Sequence, residues 1–384
     1  MAATPLTDLA TRLLANVDAN HGDLAASMMK IPADEYRDVA RYEREIEALF
    51  RRNPLMVALS VDIPAAGDFT TMEIAGRPIV VIRGDDGVAR TFLNVCRHRG
   101  RSVADDCFGH ARRMTCPYHN WVYDSAGKLV GIPGKEAFED VDVEGLVEYP
   151  TAERVGAVFA TLTVGAELDI DGWLGDMQSA LGMLQLDKLH RYDVETKLPS
   201  GSWKATADGY VDGYHLGYLH RKSIGAKSIT NRNTYDLYGP HVRIGFANKP
   251  ILEHRDVPPE EWADNYVCFS LVHYVFPNVS ISGQPDRSLM VSRVFPGPTV
   301  SESTVIQYQY FREPLVGDEA IADAEAKRQL YADVTYYEDF VTVLDITRRV
   351  DVLAEAGESF RFGRNEMANQ NLHTWIDTLL KEQD

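Results

Sequence analysis

The feature that most constrains this chain is Cys96-Arg97-His98 followed by Cys116-Pro117-Tyr118-His119-Asn120-Trp121. Seventeen residues separate His98 from Cys116, so two short arms, C-x-H and C-x-x-H, each offer one thiolate and one imidazole. Thiolates are soft ligands and imidazoles borderline ones, so this set suits either one zinc ion or an iron–sulfur cluster. In the mixed-ligand [2Fe–2S] cluster, two histidines replace two cysteines on one iron. Cys96 and Cys116 would then serve one iron, and His98 and His119 the other. A single tetrahedral zinc could use the same four residues. Against it, C-x-H reaches less far than the usual zinc arm, and no finger-like helix follows.

At 384 residues there is room for two domains, each with its own core. The formal charge of −18 argues against a nucleic-acid partner, because phosphate binding wants a basic surface. The four cysteines are 96, 107, 116 and 268. With two of them claimed by the arms, a disulfide framework is not expected and a reducing cytoplasm fits. No signal segment opens the sequence and no run is long enough to span a bilayer, so no membrane role is expected. Cys107 has a spacing that fits neither arm and reads as a small buried hydrophobe. Six arginines (90, 97, 99, 101, 112, 113) face only Asp105 and Asp106 over the same stretch. They are either a docking rim for an acidic electron donor or partners of carboxylates elsewhere.

Taken in order, residues 1–53 read as a helical segment laid on the first domain. Val39, Tyr42, Ile46, Leu49 and Phe50 recur at helical spacing there. Residues 54–165 read as a small antiparallel all-β domain, with a hairpin signal at Asp85-Asp86-Gly87. Residues 166–384 form a second domain, its recognisable part beginning near Arg191, and the whole chain is α+β. A second constellation lies at His215 and His220. An uninterrupted helix advances roughly 500° over five residues, leaving the two rings about 140° apart. They can share a metal only if the helix ends or is distorted before His220, and Gly217 suggests where. Asp212 precedes His215 by three residues, on the same helical face. Residues 221–265 lack a period and read as a variable lid. Three strand-like runs follow up to Phe311, with His273 a satisfied sheet or pocket residue. Leu330, Val334, Tyr337, Val341 and Leu344 mark a helix with Asp339 opposite this stripe, and Met367 to Leu379 mark a final helix on the catalytic sheet.

These segments resemble the large, oxygenase subunits of the Rieske non-heme iron oxygenases, which include the aromatic-ring-hydroxylating dioxygenases. N-V-C-R-H-R-G, C-P-Y-H-N-W and the preceding Gly76-x-P-I-V-V-I-R are similar to that family's Rieske domain. Trp203-Lys204 with Asp212-x-Tyr214-His215-x₄-His220, the Phe276-Pro277-Asn278 turn and Glu338-Asp339 are similar to its catalytic domain. The likeness runs over roughly residues 35 to 380. It departs at Ser202 and at Asp208-Gly209, where the family has Asn and Glu-Asn.

The resemblance implies one Rieske [2Fe–2S] cluster and one mononuclear iron(II) per chain. Cys96, His98, Cys116 and His119 would hold the cluster. His215 and His220 with Asp339 would hold the iron, Glu338 and Asp345 standing as alternatives to Asp339. Asp212 would accept a hydrogen bond from His215 and reach His119 of the partner subunit, which implies a head-to-tail ring, a trimer. Electrons would come from a ferredoxin or a flavoprotein reductase, and a small β subunit would be an optional partner. The reaction would hydroxylate, dihydroxylate or oxidatively demethylate a small organic substrate, an aromatic one by the resemblance, with O₂. The competing reading is a zinc-stabilised β domain fused to a ligand-binding domain without redox chemistry.

Overall fold

The computed structural model describes residues 6–138 and 144–382, and the chain divides into two compact units. One spans Glu47–Trp173 with Gln185–Lys188. The other takes in the described residues up to Ile46, Leu174–Leu184, and the chain from Leu189 onward.

The first unit is built from antiparallel strands. Asp68–Ile74 (β1), Arg77–Arg83 (β2), Ala89–Leu93 (β3) and Phe108–His110 (β4) join Glu148–Tyr149 in a five-stranded sheet. Ala75 and Gly76, both at positive φ (51° and 72°), close the two-residue turn that pairs Ile74 with Arg77. That geometry matches strand twist, which is why Gly sits there. A small second sheet contains Arg113–Thr115 (β5), Val122–Asp124 (β6) and Leu129–Gly131 (β7). A third pairs Leu55–Leu59 with Ala157–Ala160, which also pairs with Thr151–Arg154. The C-x-H arm follows β3, and the C-x-x-H arm is the tip between β5 and β6.

The second unit is organised on an eight-stranded antiparallel sheet. Its long strands are Thr234–Tyr238 (β8), His241–Ala247 (β9), Phe269–Val275 (β10), Val279–Gln284 (β11), Ser288–Pro296 (β12) and Ser303–Phe311 (β13). Each pairs with the next, and β13 continues to His190–Arg191 and Thr196–Ser200. Thus β8 and β9 occupy part of the stretch read from sequence as an aperiodic lid. Their alternation is blurred because β9 is buried on both faces except at Phe246.

The helices are Leu6–Asp18 (α1), Val39–Glu45 (α2), Trp203–Val211 (α3), Asp318–Val334 (α4), Val341–Glu355 (α5) and Met367–Lys381 (α6). The expectation that residues 1–53 pack on the first domain is corrected here for the described residues up to Ile46, while Glu47 onward belongs to the first unit. Leu9 and Leu13 of α1 lie in a core with Ala247, Ile251, Phe269 and Leu271 of the second unit. Tyr42 of α2 donates its hydroxyl to the Gly297 carbonyl at 2.6 Å. An amphipathic pattern says that a helix buries one face, not what covers it. The stripe on α4 and α5 is corrected in the same sense. Leu330, Tyr337 and Val341 are 53 %, 69 % and 49 % exposed while Val334 is buried, so the stripe is not one buried face, and Asp339 lines a cavity together with Val334.

Helix α3 is held at its start by a buried charge pair. Ser202 caps it by accepting from the Ala205 N–H. The Lys204 ammonium donates to Glu45 Oε1 at 2.5 Å, and the Trp203 indole donates to Glu45 Oε2 at 3.1 Å. Lys204 is 1 % exposed and Glu45 0 %. Burial pulls the lysine down from its ordinary pKa, against the pull of Glu45. Removing one partner of such a pair leaves an uncompensated buried charge, which costs about 3–5 kcal/mol. Lys204→Met should therefore lower the stability of this unit by that amount in chemical denaturation. An unchanged midpoint would mean that Arg41 and Trp203 alone satisfy Glu45.

Candidate metal centres

The two arms of the first unit are built alike. The Cys96 N–H donates to the Arg101 carbonyl and the Gly100 N–H back to the Cys96 carbonyl, at 2.7 and 2.9 Å. The Cys116 N–H donates to the Trp121 carbonyl and the Asn120 N–H to the Cys116 carbonyl, both at 2.9 Å. Gly100 and Asn120 take positive φ (79° and 55°), which lets each arm fold back within five residues. Both cysteines are buried, in one cluster with Trp121 and Tyr123. The Tyr123 hydroxyl lies 3.4 Å from Cys96 Sγ and accepts from the Arg97 N–H at 3.0 Å. Burial, with this cysteine close by, pushes the phenol pKa up.

His98 and His119 meet edge to face with ring centroids 4.6 Å apart, and Trp121 stacks on His98 at 4.9 Å. The Nδ1 of His98 is buried without a hydrogen-bond partner, which is what an imidazole waiting for a metal looks like. Two thiolates and two imidazoles, one of each on either arm, are the donor set of a mixed-ligand two-iron cluster.

A second ligand group is His215, His220 and Asp339. Helix α3 ends at Val211, and Asp212 adopts an extended conformation (φ −81°, ψ 116°). The break thus falls before His215, not at Gly217, and Asp212 does not share a helical face with it. Instead the chain loops round so that Asp212 Oδ2 accepts from His215 Nδ1 at 2.9 Å, while Oδ1 accepts the Tyr214 N–H at 2.6 Å. The second oxygen of Asp212 is therefore engaged in this turn, with one lone pair taken by the Tyr214 N–H. The two Nε2 atoms come to 3.1 Å from each other.

From the other side, the helical ladder widens over Thr335–Phe340 to i→i+5 bonding. Such single-turn bulges are common at functional sites, because they shift side-chain directions within an otherwise regular helix. Here two successive acids reach the same imidazole. Asp339 Oδ1 lies 3.0 Å from His220 Nε2 and 3.5 Å from His215 Nε2. Glu338 Oε2 lies 2.6 Å from His220 Nδ1 and also accepts from the Ser223 hydroxyl at 2.7 Å. Each imidazole thus has a carboxylate on Nδ1, which fixes the proton there. Both Nε2 atoms and Asp339 Oδ1 are then acceptors turned on one another. Three converging lone pairs with no donor between them call for a cation. Asp345, the other sequence candidate, pairs with Arg349 at 3.4 Å on an exposed surface instead.

A cavity of about 1170 Å³, its mouth included, opens beside these ligands toward the sheet and carries Tyr210, Phe246, Tyr331 and Gln307 on its walls. A second, of about 740 Å³, opens on the far side at Asp212, Asp208 and Glu366. Asp208, at the departure from the family pattern, is not idle. It accepts from the Tyr36 hydroxyl at 2.5 Å, sits 3.0 Å from His373 Nε2, and its carbonyl accepts from the Asn369 amide at 3.0 Å. These partners lie far away in sequence, on the N-terminal segment and on α6, and no local pattern announces them. Three sequence readings fare differently from this site. Cys107 is exposed, not buried. His273 is buried on the sheet with its Nε2 unpartnered rather than satisfied, and burial with Arg243 nearby holds its pKa down to about 3. Of the six arginines, Arg90 pairs with Asp86 and Arg101 with Asp105. Arg97, Arg99, Arg112 and Arg113 are exposed and have no ion pair among the described residues.

Asp339→Ala should abolish iron binding at this site while the absorption of the first-unit cluster stays unchanged. Glu338→Gln, which keeps a hydrogen-bonding partner on His220, should retain the iron. Metal analysis of the two variants separates ligand from positioning group, and iron loss in Glu338→Gln alone would reverse the assignment.

Comparison with known proteins agrees with this arrangement. The model of the Rieske [2Fe–2S] domain matches residues 53–150, and that of the ring hydroxylating alpha subunit (catalytic domain) matches 188–382. The chain is 29 % identical to the glycine betaine monooxygenase oxygenase subunit of Chromohalobacter salexigens over 55 % of its own length and 49 % of that protein. With the 2-aminobenzenesulfonate 2,3-dioxygenase subunit alpha of Alcaligenes sp it shares 33 % identity, over 71 % and 72 % of the two chains. It spans about half the length or less of several curated relatives it matches, the first among them. The fold is that of a quaternary ammonium Rieske monooxygenase solved with L-carnitine, with a TM-score of 0.76 over 98 % and 99 % of the chains at 21 % identity. The two domains in sequence, the paired Cys–His arms and the two-histidine, one-carboxylate face place this chain in the family of Rieske ring-hydroxylating oxygenase alpha subunits.

Proposed function

We propose that the chain is the oxygenase component of a multicomponent Rieske system, which uses O₂ and electrons from a separate donor to hydroxylate, dihydroxylate or oxidatively demethylate a small organic substrate. The observation that carries this reading is the convergence of His215 Nε2, His220 Nε2 and Asp339 Oδ1, three acceptors, on the wall of a cavity. A [2Fe–2S] cluster held by Cys96, His98, Cys116 and His119, and an iron(II) held by His215, His220 and Asp339, supply electron storage and O₂ chemistry that side chains lack.

The protein's own part is positioning. Asp212 and Glu338 keep the protons of His215 and His220 on Nδ1 and so keep both Nε2 lone pairs turned inward. Tyr210, half-buried in the same wall, is held neutral by a raised pKa, for which desolvation of the phenol is the main cause. Its hydroxyl accepts from the Gln307 amide at 3.2 Å, which fixes the ring beside the ligands. The cavity walls hold substrate against these groups and keep bulk water away.

Asp212 also faces the second cavity, open to a group arriving from outside. We assign it the role of linking His215 to His119 of the partner subunit, within a head-to-tail ring. Supporting this is the exposure of Tyr214 and Tyr218 beside it, at 44 % and 66 %. The four exposed arginines near the first-unit arms give an acidic ferredoxin or flavoprotein reductase its docking surface.

Two measurements test this reading. With a surrogate reductase, substrate-dependent O₂ uptake should fall by orders of magnitude in Asp212→Ala while both metal sites stay filled; an active Asp212→Ala enzyme would remove the inter-subunit route. Rising ionic strength should slow electron entry, since exposed charges are screened beyond about 8–10 Å at ordinary salt. Charge reversal at Arg112 should raise the donor's apparent KM, and indifference to both would return these arginines to a structural role.

A further inference from the structure

The cavity beside the sheet is floored by one face of β11, β12 and β13, and that face is unusual in composition. Strand alternation and register place Ser280 opposite Ser292, Ser282 opposite Met290 and Gln284 opposite Ser288. Gln307 of β13 stands opposite Ser292. All of these side chains line the cavity. A sheet face covered by helices is ordinarily apolar, because a buried hydroxyl or amide needs a partner.

Only part of this face is satisfied from within. The Gln307 amide donates to Ser292 at 3.1 Å and to Tyr210 at 3.2 Å, but its Oε1 is buried and unpartnered. Ser280, Ser282 and Ser288 make no side-chain hydrogen bond among the described residues. The floor is therefore a bed of polar groups kept for a ligand or for the water it displaces.

The cavity also has a charge direction. Its carboxylates, Asp212 and Asp339, belong to the metal end, and among the described residues its one lysine or arginine is Lys227. Lys227-Ser228 lies toward the Gln284 side of the floor: Ser228 bridges to Asn248, whose amide donates to Ser270 at 3.1 Å. Ser270 adjoins the Leu271–Gly283 pair, next to Gln284. Tyr210 and Thr335 mark the metal end, at Ser292 and Gln307. From Ser280 to Gln284 the strand runs about 13 Å.

The segment around Lys227 is basic in an acidic chain. Residues 221–249 hold six lysines and arginines and one acid, Asp236, whereas the whole sequence carries −18. Asp236 is taken by Arg243 and Arg12. Arg221, Lys222 and Lys227 are exposed and have no ion pair among the described residues. The cavity's carboxylates are taken up at the metal end, which leaves none free for an ammonium group, whereas Lys227 on the wall and the exposed cations of its segment would draw in an anion.

We propose that the substrate class of this cavity is an organic anion, a carboxylate or sulfonate whose charged group is bound at Lys227 and whose reacting carbon lies at the His215–His220–Asp339 end. The serine and glutamine bed between them accommodates further polar substituents. The assignment rests on the oxygenase reading and narrows its substrate.

The test is calorimetric binding to the metal-replete full chain of four probes: benzoate, benzenesulfonate, benzamide and phenyltrimethylammonium. The two anions should bind, and the neutral and cationic probes at least tenfold more weakly. Lys227→Met should lower anion affinity at least tenfold with iron and sulfide contents unchanged, and Lys227→Arg should restore most of it. Equal binding of benzamide, preferred binding of the ammonium probe, or anion affinity indifferent to Lys227→Met overturns the assignment. Binding requires no turnover. Acids that bind as expected without any O₂ consumption in the reductase assay leave this assignment standing and count against the oxygenase reading instead.

Discussion

Everything in the catalytic unit depends on where one helix stops. If α3 ran through His220, its two imidazoles would point about 140° apart and could not share an ion. Because α3 ends at Val211, the next nine residues are free to loop back, and Asp212 and Glu338 then fix the two rings by their Nδ1 atoms. The stop is held from both ends. At the start, Trp203 and Lys204 are tied to the buried Glu45 carboxylate. At the end, Asp208 gathers Tyr36, His373 and Asn369. The N-terminal segment and the C-terminal helix are thus part of the metal site's support, although neither contributes a ligand.

The same logic explains what could be read from the sequence. The Cys–His arms were legible because each closes its own hydrogen bonds within five residues, so motif and geometry are one local fact. The pair His215 and His220 was half legible: the requirement for a helix break followed from the spacing, but its place did not, since Asp212 rather than Gly217 turns the chain. Between Glu338 and Asp339 no local argument decides, because a regular helix would send adjacent side chains 100° apart. The widened turn at Thr335–Phe340 brings both to one imidazole, and it leaves no mark that periodicity detects.

Other readings failed for a different reason. Hydrophobic period reports that a face exists and not which surface covers it. Residues up to Ile46 belong with the catalytic unit, and of the stripe from Leu330 to Leu344 the members Leu330, Tyr337 and Val341 are exposed while Val334 is buried. The Asp208–Tyr36–His373 group combines residues more than 160 positions apart, and long-range polar contacts of that kind have no sequence signature.

The central claim is that the first unit binds a two-iron cluster through mixed Cys and His ligands and the second binds a single iron through His215, His220 and Asp339. The most direct test is iron, zinc and acid-labile sulfide analysis of the full chain purified without oxygen, combined with EPR of the reduced protein. The account predicts sulfide equal to the cluster iron, one further iron beyond it, and the low-g signal of an imidazole-ligated [2Fe–2S] cluster. Zinc at the Cys96–His119 arms with no labile sulfide would contradict it.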